Sequence, residues 1–262
     1  MPDLKTRRRG AQCLRPIHAL LLVVALLLAP VLASASVDRA ALERLQLDIW
    51  RIRADFHMHT VMAGDREYHS RLLASVDQGQ RSFEALARAA ATDPERALFR
   101  ELGPQWEAFA SAARRARGQA DTYAIQDVNG LAAVITGRLA GFQASNEGAQ
   151  ADIWALAAQM QRMASEYLAL AADPAGGMAV DTGEGRLEFR DAVPAFEQQL
   201  AELRRTYRDN ENVSRALEQA AVKWGFIRES LIKFYENAVP FLVHRYSEQI
   251  VDTLKQAGAR AG

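Results

Sequence analysis

The stretch from Val213 to Phe241 constrains this chain most. Val213, Leu217, Ala220, Trp224, Ile227, Leu231, Phe234, Ala238 and Phe241 alternate spacings of four and three, which is the seam of a heptad, coiled-coil-like pattern. Glu, Lys and Arg fill the other faces. A helix with one apolar stripe must bury it against other helices. The spacing predicts a helix that runs on through Pro240, with a kink where the proline removes one hydrogen bond, to about Leu254.

The same spacing recurs along the chain. Leu42, Leu45, Ile49, Ile52, Phe56 and His59 predict a first helix ending near Gly64-Asp65, with Gly64 at C′ and Asp65 as the next N-cap. Leu72, Val76, Gly79, Phe83 and Leu86 mark a second. Thr92-Asp93-Pro94 reads as a stop and restart. Phe99, Leu102, Trp106 and Phe109 give a third helix with Pro104 inside it, and Val128, Leu131, Ile135 and Leu139 a fourth. Asn146 and Glu147 should cap a fifth, carried by Ile153, Leu156, Met160, Met163, Tyr167 and Leu170. Residues 173–185 read as a loop, and Phe189, Val193, Phe196, Leu200 and Leu203 as a sixth helix. No period-2 strand pattern is present. The expected fold is all-α, with long helices in one elongated or two tandem four-helix bundles.

Aromatic anchors echo one another. Ile49-Trp50 matches Ile153-Trp154, Phe83-Glu84 matches Phe196-Glu197, and Trp106 matches Trp224. These echoes suggest a first bundle unit over 36–145 and a second over 146–262. Coincidence among similar helices is the other reading.

Residues 1–35 have the order of a signal peptide. Lys5, Arg7, Arg8, Arg9 and Arg15 precede an apolar run from Ala19 to Leu28, and Ala33-Ser34-Ala35 supplies small residues for cleavage. The apolar run is shorter than the ~20 residues of a membrane span. A periplasmic protein is expected, with an uncleaved inner-membrane anchor as the alternative. Cleavage takes five of 32 basic and one of 32 acidic residues, leaving 27 against 31, a net charge of −4. That argues against nucleic acid as a partner. The single cysteine, Cys13, leaves with the segment.

Little chemistry is legible. His57, His59 and His69 are the nearest approach to a metal cluster, but His57 and His59 point ~200° apart on a helix. No GxSxG or SxxK run supplies a nucleophile, and no CxxCH run supplies covalent haem attachment. No enzyme activity, metal or cofactor is expected.

One segment carries a resemblance. Residues 153–172, IWALAAQMQRMASEYLALAA, contain Gln161-Arg162-Met163 and Ser165. This resembles the P-box helix of the PilJ/NarX-like input domain of nitrate sensor kinases and type IV pilus chemotaxis transducers. Leu156 and Gln159 stand where the family has asparagine and glycine. Phe196, Leu200 and Leu203, a polar turn and then Trp224 extend the resemblance over residues 150–257. It implies a periplasmic four-helix sensor that binds a small anion, with Arg162 as the anion-binding residue through its planar fork of donors. It also implies signal transduction through a membrane receptor or envelope partner, or a second copy of the chain as a homodimer. The expected function is a non-enzymatic sensor-like module. A structural helical adaptor in an envelope assembly is the alternative.

Overall fold

The computed structural model describes residues 37–119, 121–144, 150–173 and 187–260. The signal-like segment, the Asn146-Glu147 cap and nearly all of the 173–185 loop lie outside the described residues. Within them the chain is all-α: α1 (Arg39–Val61), α2 (Arg66–Ala89), α3 (Asp93–Arg114), α4 (Thr122–Ala140), α5 (Ala151–Ala172), α6 (Phe189–Thr206), α7 (Glu211–Trp224), α8 (Arg228–Ile232) and α9 (Pro240–Arg260). No described helix is long and apolar enough to cross a membrane.

Local chemistry sets the helix ends. The Asp65 carboxylate accepts from the Glu67 and Tyr68 amides at the start of α2. At α3, Thr92 and Glu95 form a reciprocal capping box. Glu95 is buried and also accepts from the Val37 amide at 3.0 Å, tying down the entry to α1. After α1, Ala63 donates to the Thr60 carbonyl and Gly64 to that of His59. This is a Schellman closure shifted by one residue from the expected one. Ala63 takes the left-handed C′ position with φ 50°, and Gly64 follows with φ 82°. Gly118 also has positive φ, and a Cβ there would lie 2.0 Å from the Gly64 Cα, so these two turns meet backbone to backbone.

The helices close into two rings. In the first, α1 packs on α2, α2 on α3, α3 on α4, and α4 returns to α1. In the second, α5 packs on α6, α6 on α7, α7 on α9, and α9 returns to α5. Each ring has its own apolar core. One includes Ile49, Leu72, Leu102, Trp106 and Val128. The other includes Met160, Phe196, Leu217, Trp224 and Leu254. The aromatic echoes make matching contacts. Phe83 stacks on Trp106 at 5.1 Å between α2 and α3, and Phe196 meets Trp224 at 4.5 Å between α6 and α7.

α1 and α5 join the rings along their whole length. Arg39 pairs with Asp152 and Arg53 with Ser165, so numbers rise together and the two helices run parallel. Fifteen of the 23 residues of α1 are buried and only Arg44 is exposed, so it lacks the broad solvent face of an ordinary amphipathic helix.

The long last helix is not continuous. α7 ends at Trp224, and Phe226 and Ile227 make tighter i→i−3 bonds to Lys223 and Trp224. The seam survives this break: Val213, Leu217, Ala220, Trp224, Ile227, Leu231 and Phe234 are all buried. It then ends. Residues 237–239 are non-helical, Ala238 is exposed, and Phe241 is half exposed. Pro240 opens α9 rather than kinking a helix interior. A proline disfavours helical backbone in the residue before it and suits a first turn, where no amide donor is needed. The Val239 amide is held instead by the Tyr167 hydroxyl at 2.7 Å.

Candidate ligand cleft

Because most of α1 is buried, its interior polar side chains must find partners inside. They sort by face. Toward α4 and α5, Arg53 donates from Nε to Asn129 Oδ1 at 2.6 Å and from a terminal nitrogen to Ser165 Oγ at 2.9 Å. It also pairs with Glu166 at 3.1 Å. One turn on, His57 Nε2 lies 2.8 Å from the same Asn129 oxygen. An amide oxygen only accepts, so Nε2 carries the hydrogen. His57 Nδ1 is left buried without a hydrogen-bond partner. Burial, then the Arg53 charge, push the His57 pKa down to about 3, against the opposing bond to Asn129.

His59 points elsewhere, as the two-residue spacing requires. Its ring lies 5.0 Å from that of His69 on α2. Burial and the His69 ring lower its pKa, and Asp65 opposes the shift.

The third face of α1 opens onto a cleft between α2 and α9. Asp48, Arg51, Asp55, Arg71, Ser75, Gln78, Glu248 and Lys255 line about 330 Å³. Asp55 is buried at 3 % exposure, and it accepts from Ser75 Oγ at 2.5 Å. Its other oxygen is 3.3 Å from His244 Nε2. Arg51 reaches Glu248 at 2.9 Å, and Arg71 reaches the same carboxylate at 3.4 Å. A second lobe of about 260 Å³ continues along α1 and shares Asp48, Gln78 and Lys255; Leu45, Leu86 and Trp154 also line it. At the junction, burial raises the Asp48 pKa, offset by its bond from Ser82 and by the Lys255 charge. Asp55 stands between Ser75 and His244, so the imidazole does not reach the hydroxyl. That order does not activate a serine nucleophile.

Arg162 lies apart from this cleft. Its guanidinium carbon sits 5.4 Å from the Trp50 ring centroid, against α1. Glu166, four residues on, pairs with Arg53. The side-chain oxygens of Gln159 and Gln161 nearby on α5 are buried without hydrogen-bond partners.

Sequence reasoning singled out neither Asp55 nor His244. One signal was present: His244 and Glu248 have the four-residue spacing that places two side chains on one helix face. Comparisons with protein-family models, with curated proteins and with solved structures each return no match.

Proposed function

We propose that this chain is a non-enzymatic sensor-like module that takes a small polar ligand in the cleft between α1, α2 and α9. One observation carries the reading. Ionisable side chains from both rings, Arg51, Asp55 and Arg71 from the first and Glu248 and Lys255 from the second, converge on one cavity. A ligand there touches α1, the helix that belongs to both packing interfaces. Binding energy is thereby coupled to the relation between the rings, which is what a sensor needs. The resemblance to PilJ/NarX-like domains supports the same class and a periplasmic setting. It places the ligand, a small anion, at Arg162.

The adaptor reading draws on a different region. Val222, Phe226, Tyr235 and Phe241 are 52–81 % exposed around α7–α9, and exposed apolar side chains of this size mark interaction surfaces when they are contiguous.

Thermal unfolding with a panel of amino acids, small carboxylates and organic amines tests the sensor reading. The native chain should be stabilised by at least one class, and Arg71→Ser should lose the effect. If neither these compounds nor a metal ion acts, the sensor reading falls. Retention of the native chain by an envelope extract, lost in Phe226→Ser with Phe241→Ser, would then favour the adaptor.

A further inference from the structure

We propose that Asp55, His244 and Glu248 form a site for a divalent first-row transition metal, which clamps α9 of the second ring onto α1 of the first. The proposal rests on reading the cleft as a ligand seat and names what that seat holds. One imidazole nitrogen and one oxygen from each carboxylate lie within 4.8 Å of one another. His244 and Glu248 are four apart on α9, the spacing that lets two helical side chains reach one ion. Asp55 comes from the facing helix. In this structure His244 turns Nε2 to Asp55 at 3.3 Å and Nδ1 to Glu248 at 3.7 Å; ligands around a zinc ion stand about 3.3 Å apart, so closing the set on one nitrogen takes a rotation of the ring or of one carboxylate.

The surroundings fit an ion in two ways. Ligating carboxylates are held by hydrogen bonds of their own. Here Ser75 donates to Asp55, while Arg51 and Arg71 hold Glu248. The charge count also leaves room. Arg51 is shared by Asp55, Glu248 and Asp252, and Arg71 by Glu248 and Glu67. With Asp48 and Lys255, which line the same cleft, five carboxylates face three permanent cations, and a divalent ion supplies the missing two charges. Asp55 has most to gain. It is buried, its nearest guanidinium nitrogen is 4.0 Å away, and the His244 imidazole at 3.3 Å is a cation only when protonated; an interior carboxylate without a permanent close positive partner is costly. One imidazole with two carboxylates suits Zn²⁺ or Mn²⁺. Ca²⁺ and Mg²⁺ prefer all-oxygen sets.

The chain is first stripped with chelator and freed of it. Calorimetric titration and thermal unfolding with Zn²⁺, Mn²⁺, Ca²⁺ and Mg²⁺ then test the site. The expected result is one equivalent of Zn²⁺ bound, Mn²⁺ weaker, and a raised melting temperature. Affinity should drop at least tenfold in His244→Gln and in Glu248→Gln, and His69→Gln should bind as the native chain does. Bound Co²⁺ should show a visible absorption band that His244→Gln lacks. Circular dichroism checks each fold, and Glu248→Gln, at the cleft edge, decides if His244→Gln does not fold. No heat and no stabilisation with any ion overturns the site. Native-strength binding in both His244→Gln and Glu248→Gln overturns it too, as does loss of binding in His69→Gln. If metals fail while an organic ligand still stabilises the native chain through Arg71, only the metal is refuted. If both fail, the cleft reading goes with it.

Discussion

Arg162 of α5 lies over the indole of Trp50 on α1, and Arg44 of α1 lies over the indole of Trp154 on α5, at 5.4 and 5.3 Å. Each central helix thus offers a tryptophan to an arginine of the other. Such cation–π contacts contribute about 0.5–2 kcal/mol each, and they fix the register of the parallel pair.

Arg53 should be the most sensitive polar residue of that seam. Arg53→Ala takes the guanidinium from Glu166 and Ser165, leaves Asn129 Oδ1 with His57 alone, and should cost about 3–5 kcal/mol in denaturant unfolding. Adding Glu166→Leu to Arg53→Met should recover part of the loss, because an apolar pair replaces a buried ionic one. Strictly additive losses would show that the two side chains do not act as a pair.

His57 should make the fold acid-sensitive. In the unfolded chain it takes up a proton near pH 6.5, and in the folded chain only near 3. Between those values the unfolded state binds more protons, so stability falls as pH falls. The slope from this residue alone is about 1.4 kcal/mol per pH unit. Urea unfolding at several pH values should show His57→Gln with the shallower dependence. Parallel slopes would mean that the histidine protonates inside the fold.

Trp224 anchors the second ring. It is buried, meets Phe196, and donates to Glu197 at 3.0 Å. Trp224→Ala should cost about 3–5 kcal/mol and lower the melting temperature by roughly 6–20 °C. An unchanged melting curve would contradict the packing of α6 on α7.

The resemblance makes its own test at Arg162. Nitrate, nitrite or a small carboxylate at a hundredfold excess over its dissociation constant should stabilise the native chain by about 2.7 kcal/mol and leave Arg162→Ala unaffected. Chloride at matched ionic strength controls for screening. Equal behaviour of the two proteins would end the carry-over.

Helix identity was legible in the sequence because seam residues report packing. Every seam position from Val213 to Phe234 is buried, whichever way the backbone turns between them. Backbone continuity was not legible. The seam pattern is the same through a tightened turn at Gly225–Ile227 as through an α-helix, and Ala238 and Phe241 keep heptad spacing without being buried. The cleft was hidden for another reason. Asp55 and His244 are 189 residues apart and meet only because α9 packs back against α1, a relation that no local pattern encodes. Arg53 was passed over because an arginine in a helix is ordinarily solvated. Only the parallel docking of α5 on α1 makes it an interior residue.

That docking has a consequence during synthesis. Trp50 leaves the ribosome 112 residues before Arg162, roughly 6–20 s at ordinary elongation rates. The first ring can close on one side of α1 in that time. The side carrying Ala40, Leu47, Ala54 and Met58, which packs with the second half of the chain, stays bare until α5 arrives. A first half without the second therefore exposes this apolar side, and a truncation ending after α4 should need a chaperone to stay in solution.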